Sequence, residues 1–207
     1  MKLERFTILD SSLTAIIYTA GIIGIRFLPD FFLKTSFISI LIPLSLYLFR
    51  VKPKGKDILL ILSVYSIGFF AEWIGVRFGW LFGSYKYGDS LGIKLDGVPL
   101  IIGANWLLLS LVSREVISKL LNNKILIIIL SSILMVLIDF LIEPISDNLN
   151  FWIWENNIIP YSNYLDWFLI ALLNQTLFSF IGYKKNMFHW SLIYITILVL
   201  FFLTFYI

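Results

Sequence analysis

The chain contains no cysteine, which removes disulfides, thiolate metal sites and thiol nucleophiles from its chemistry. Its one histidine is His189. A single histidine without cysteine makes no zinc set, and its place at the edge of an apolar run marks an interfacial residue. Charge is also scarce, with 14% of the 207 residues charged against about 25% in soluble domains. Neither GxxxxGK[ST] nor a strand-linked GxGxxG occurs, so phosphate loops of those types are excluded. No repeat or low-complexity linker divides the chain. The first apolar segment has no small-residue cleavage site, so a cleavable signal peptide is not expected.

Apolar residues fill the gap, at 59% of the chain, and aromatics make up 17%. This is the composition of an integral membrane protein. A span needs about 20 mainly apolar residues, and that ruler predicts seven: 8 to 28, 32 to 49, 57 to 76, 98 to 117, 124 to 142, 164 to 182 and 188 to 207. The expected fold is all-α, a polytopic transmembrane helix bundle forming one domain over residues 1–207. In the second span Lys34 has to snorkel and Pro43 lies inside. The net charge of +3 reflects topology rather than a nucleic-acid partner.

Lys2, Arg5, Arg50, Lys52, Lys54, Lys56, Arg114, Lys119, Lys124, Lys184 and Lys185 fall on one side of such a bundle. The other side holds only Arg26, Lys34, Arg77, Lys86 and Lys94. The positive-inside bias then predicts a plasma-membrane protein with a cytoplasmic N-terminus and an outer C-terminus. The two long loops, 77 to 97 and 143 to 163, share a face in any seven-span reading.

Ionisable groups inside spans mark functional sites. Glu72 lies roughly 15 residues beyond Asp57, and Asp139 roughly 15 beyond Lys124. At ~1.5 Å per residue both have climbed about 22 Å, so they share a depth. Asn105 and Asp166 approach the same layer from the opposite side, and Asp139 and Glu143 are i and i+4 on one helix face. Asn174 and Gln175 lie deeper. The alternative is that Glu72 pairs with Arg77 or Arg26, and that the loop Trp and Tyr residues form an interfacial belt. Glycines at 75, 79, 83, 88, 92 and 97 alternate with Trp80, Phe82, Tyr85 and Tyr87, which suits a re-entrant or interface-lying loop covering a cavity.

The blocks EWIGVRFGWLFGSYKYGDSLGIKLDGVPLIIGANW and DFLIEPISDNLNFWIWENNIIPYSNYLDWF resemble the carotenoid biosynthesis protein family, which includes carotenoid 1,2-hydratases and the hydratase of the bacterioruberin pathway. The shared pattern falls on Glu72 and Gly75, Phe82 to Tyr87, Leu91 to Lys94, Gly97 to Pro99, Trp106, Asp139 with Glu143 and Pro144, Trp152 with Trp154, and Asn163 to Phe168. It covers about 70 to 170. Arg77 departs from it, putting a cation near Glu72 and moving the acid role toward Asp139. Glu143 stands where many relatives carry Asp.

The resemblance implies a hydro-lyase that adds water to the terminal C1,2 double bond of an acyclic carotenoid, with carotenoid, water and membrane lipid as partners and no cofactor or metal. Protonation of C2 leaves a tertiary cation at C1, and water captures it. The implied catalytic groups are Glu72, Asp139 and Glu143, with acid and base roles open. The implied substrate-binding groups are Tyr85, Tyr87, Asn105, Trp106, Trp152, Trp154, Asn163 and Asp166. The indole faces of Trp106, Trp152 and Trp154 suit the cation, at about 2 kcal/mol each when desolvated. Rival readings are an end-group isomerase or cyclase and a non-catalytic transporter or scaffold. A retinal photoreceptor lacks its Schiff-base lysine in the last span, and one acidic pair is too few for a magnesium-dependent prenyltransferase.

Overall fold

The computed structural model describes residues 2–183 and 185–206, with side chains from Phe6 onward. Lys184, used above for orientation, lies outside the described residues, as do the side chains of Lys2 and Arg5. The helices are α1 (Lys2–Phe27), α2 (Pro29–Lys34), α3 (Ile38–Val51), α4 (Lys56–Phe78), α5 (Ile101–Leu120), α6 (Lys124–Ile142), α7 (Tyr161–Ile181) and α8 (Phe188–Leu203). Five stretches, Phe6–Phe27, Lys56–Phe78, Ile101–Leu120, Lys124–Ile145 and Tyr161–Ile181, are long and apolar enough to cross a membrane. The protein is a helical membrane bundle.

The expected second span, 32 to 49, is not one helix. The Thr35 hydroxyl turns back to the carbonyls of Phe31 and Phe32, at 3.1 Å each, and Ser36 to that of Phe32 at 3.3 Å. Such bonds compete with helix continuation, and the chain restarts as α3, of 14 residues. That length gives about 21 Å, short of the roughly 30 Å hydrocarbon core. The last apolar helix, α8, also stops early, at Leu203.

Local signals set the other ends. The Asn123 side chain accepts from Ile125 N and Leu126 N at 2.9 and 3.2 Å, capping α6. Gly79 and Gly182 end α4 and α7 in the left-handed conformation. α5 is the central helix, with 72% of its spanning window buried against 28 to 39% for the other four. It packs on α3, α4, α6, α7 and α8.

The two long loops meet. Strand β1 (Tyr85–Tyr87) from the first pairs antiparallel with β4 (Trp152–Trp154) from the second. β2 (Lys94–Leu95) and β3 (Val98–Pro99) form a hairpin around Asp96 and Gly97, both at positive φ, the backbone a two-residue hairpin turn favours. In the β1–β4 ladder Tyr85 opposes Trp154 and Tyr87 opposes Trp152. Strand alternation puts all four rings on one face.

Candidate active site

That ringed face meets Glu72, which is 4% exposed on α4. Tyr85 Oη and Tyr87 Oη donate to Glu72 Oε2 at 2.5 and 2.7 Å, and Trp106 Nε1 donates to Oε1 at 3.0 Å. Gly75, one turn on, makes the approach possible: a Cβ there would meet Tyr85 Oη at 2.9 Å and Leu81 O at 3.0 Å. Burial first, then the Glu72 carboxylate, pushes both phenols well above the usual tyrosine range. They remain donors at neutral pH.

Arg77 and Arg26 do not pair with Glu72. Arg77 is exposed, and Arg26 donates to Thr204 O at 3.0 Å. The aromatics around Glu72 are therefore its hydrogen-bond partners and not only an interfacial belt.

The second carboxyl cluster forms where α6 runs into the one-turn 3-10 helix Glu143–Ile145. Glu143 Oε2 accepts from Trp152 Nε1 at 3.0 Å and Trp154 Nε1 at 2.6 Å, and Oε1 accepts from Asn163 Nδ2 at 2.8 Å. The same Asn163 nitrogen lies 3.2 Å from Asp139 Oδ2. Asp139 Oδ1 is buried with no partner among the described residues.

A cavity of about 20 Å³ lies between the clusters, lined by Glu72, Tyr85, Tyr87, Asn105, Glu143, Trp152, Trp154, Asn163 and Trp167 among others. That volume holds one water. Ile102, Asn105 and Trp152 also line a second, apolar cavity of about 290 Å³. Its walls are α1, the α2–α3 break, α5 and α8, including Gly21, Phe32, Leu109 and Phe201. Asn105 stands at the junction, without a hydrogen-bond partner among the described residues.

Three expected site residues lie outside both linings. Asp139 is 1% exposed and sits behind Asn163. Trp106 is fully buried with its ring stacked on Trp167, centroids 3.9 Å apart, and a Cβ on Gly68 would come within 2.4 Å of it. Its N–H reaches Glu72, but its face is taken. Asp166 Oδ2 instead accepts from Phe82 N at 2.7 Å. It thereby secures a turn in which Phe82 has φ +63° and packs beside Trp106 and Trp167.

Trp167, within the shared block Asn163 to Phe168 but not among the expected site residues, lines the small cavity; its i+4 spacing from Asn163 and its place in that block are the sequence signals for it. Lys94, which the shared pattern includes without a stated role, ties the loop: its ammonium donates to Tyr87 O at 2.9 Å and Asp89 Oδ1 at 2.8 Å. That contact holds the Asp89 carboxyl below the usual range. His189 is exposed at the start of α8, as an interfacial residue would be.

Buried carboxyls under an aromatic cap thus lie beside an apolar groove in a helical membrane bundle. The chain belongs to the carotenoid biosynthesis protein family, whose model matches residues 33–207. It is 30% identical over 199 residues to a bisanhydrobacterioruberin hydratase of Haloarcula japonica, a match covering 86% of this chain and 65% of that protein. No solved structure matches it.

Proposed function

We propose that the protein is a carotenoid hydratase that adds water across the terminal C1,2 double bond of an acyclic carotenoid end group. One observation carries the reading: a cavity the size of one water, flanked by Glu72 and Glu143, adjoins an apolar groove at Asn105. The groove suits the end of a polyene whose remainder lies in lipid, and the small cavity suits the water. The family and the relative's name support the substrate class.

The Asp139–Glu143 pair, joined through Asn163, serves as the proton source, with Glu143 facing the substrate. Glu143 protonates C2, the π electrons form the new C–H bond, and C1 becomes a tertiary cation. The indoles of Trp152 and Trp154 border the cavity and stabilise positive charge. Water, held by Glu72 and the Asn105 amide, bonds to C1 and gives its spare proton to Glu72. Transfer of that proton back to the Asp139–Glu143 pair resets the site, so the net reaction consumes only alkene and water. Tyr85, Tyr87 and Trp106 orient the Glu72 carboxylate.

Expression in a lycopene-accumulating host tests the proposal. Pigment gaining the mass of one water per reacted end supports it. Unchanged pigment alongside inserted protein rejects hydration of that substrate, and an isomer of unchanged mass favours an isomerase or cyclase. Glu72→Gln and Glu143→Gln should each lower conversion by about 10²- to 10⁴-fold, the range of general acid–base catalysis.

On this reading the N-terminus is cytoplasmic, the C-terminus is outside and the protein sits in the plasma membrane, as the Lys and Arg bias supports. Because the chain has no cysteine, single cysteines placed in the 77 to 97 and 143 to 163 loops and probed with a membrane-impermeant label test this orientation.

A further inference from the structure

The bundle has a third cavity, of about 500 Å³, at the end remote from the carboxyls. Lys124 starts α6 and Asp139 lies about 22 Å further along that helix at ~1.5 Å per residue, so the two ends are well separated. Arg114, Lys119, Lys124 and Lys185 line this cavity, converging from α5, α6 and the α7–α8 connection. Glu115 is the carboxylate among the described lining residues. Its oxygens are engaged elsewhere, accepting from Tyr47 Oη at 3.1 Å and Met187 N at 3.2 Å. Lys185 is paired with Asp57 at 2.7 Å.

The positive-inside bias accounts for the exposed Lys119 and Lys124. It does not account for Arg114, which is 9% exposed and sits about 9 Å inside the end of α5 by the helical rise. Its bonds go to neutral groups: Nη1 to Gln175 O at 3.2 Å and Oε1 at 3.4 Å, and Nη2 to Ser179 Oγ at 3.0 Å. Among the described residues no carboxylate lies within ion-pair distance of it. A buried charge is ordinarily paired; here the adjacent Glu115 attracts the guanidinium without forming an ion pair, and the guanidinium lines a cavity edged by Lys119 and Lys124, which have no ion-pair partner among the described residues.

We infer that this cavity binds a phosphate group, with Arg114, Lys119 and Lys124 as its ligands. Cations from two helices exceed what a singly charged carboxylate needs, and a guanidinium with flanking ammoniums suits a multi-oxygen dianion. The cavity lies at the lysine-rich end, the depth of anionic headgroups. Leu111, Ile127 and Phe188 also line it, beside polar groups such as Ser118 and Asn122, and can seat an attached alkyl chain. The phosphate therefore comes either from a membrane phospholipid or from a soluble phosphate compound.

The test uses the whole protein in dodecyl maltoside, which carries no phosphate. Inorganic phosphate and pyrophosphate are titrated calorimetrically at constant ionic strength, and phosphatidylglycerol retention is counted by native mass spectrometry. Binding of a soluble anion at one site identifies the soluble source. One retained lipid that phosphate does not displace identifies the headgroup. In either case Lys119→Ala/Lys124→Ala should weaken binding by about tenfold or more, and Arg114→Gln should abolish it. The lysine variant alters exposed positions, so it decides the question even if Arg114→Gln fails to fold. Failure of all three probes to bind the wild type overturns the inference, as does binding that the lysine variant leaves unchanged.

Discussion

Asn163 Nδ2 lies 2.8 Å from Glu143 Oε1 and 3.2 Å from Asp139 Oδ2, so one amide group bridges two carboxyls presented by successive turns. No other described side chain hydrogen-bonds to both. The geometry makes Asn163 the residue that relates the cavity-facing acid to the one behind it.

Replacing Asn163 by Leu removes that bridge while keeping a similar volume. Buried acceptors then lose their donor, which costs about 1–3 kcal/mol. Thermal unfolding should register the loss, and pigment conversion should fall further than Asn163→Gln makes it fall. Equal conversion in wild type and Asn163→Leu would remove the bridge from the mechanism.

Gly75→Ala should separate Tyr85 from Glu72. The added Cβ meets Tyr85 Oη at 2.9 Å and the Leu81 carbonyl at 3.0 Å, and one of these contacts is backbone. Overpacking of this kind costs about 1–3 kcal/mol. A lowered melting temperature with reduced conversion is expected, and a variant indistinguishable from wild type would mean that the loop accommodates the methyl freely.

Gly21→Leu tests the groove alone. Gly21 lines the apolar groove and not the small cavity, and a Cβ there meets the Phe201 ring at 3.3 Å. The larger side chain should fill the groove and raise KM for the polyene without disturbing the carboxyls. Conversion at wild-type KM would show that the substrate lies elsewhere.

Tyr85 and Tyr87 should ionise later than ordinary tyrosines, because burial and the Glu72 charge favour their protonated forms. The folded state thus holds their protons more tightly than the unfolded state, whose phenols titrate near ~10. This contribution to stability is complete below that value and is lost as pH rises through the folded-state range. Ultraviolet titration of wild type against Tyr85→Phe/Tyr87→Phe should show the two missing phenols in the latest-ionising group, and their appearance near ~10 would contradict the buried placement.

The bundle was legible in sequence because apolar length is a local property, and a span of 20 residues announces itself wherever it packs. Glu72, Asp139 and Glu143 were also legible, since a carboxyl in a greasy run is conspicuous and helical rise gives its depth. The break at Thr35 was less so: it depends on hydroxyls turning back to carbonyls within a run that remains apolar on average.

What the sequence by itself determined is the membrane class and the placing of Asp139 and Glu143 one helical turn apart. Tertiary structure alone decided which of them meet the cavity. β1–β4 pairing turns four rings toward Glu72 and Glu143, whereas the stack on Trp167 withdraws the face of Trp106 and Asp166 becomes a loop anchor. Strand pairing and ring stacking join residues tens of positions apart, and the free energy of such contacts depends on neighbours that a linear pattern does not specify.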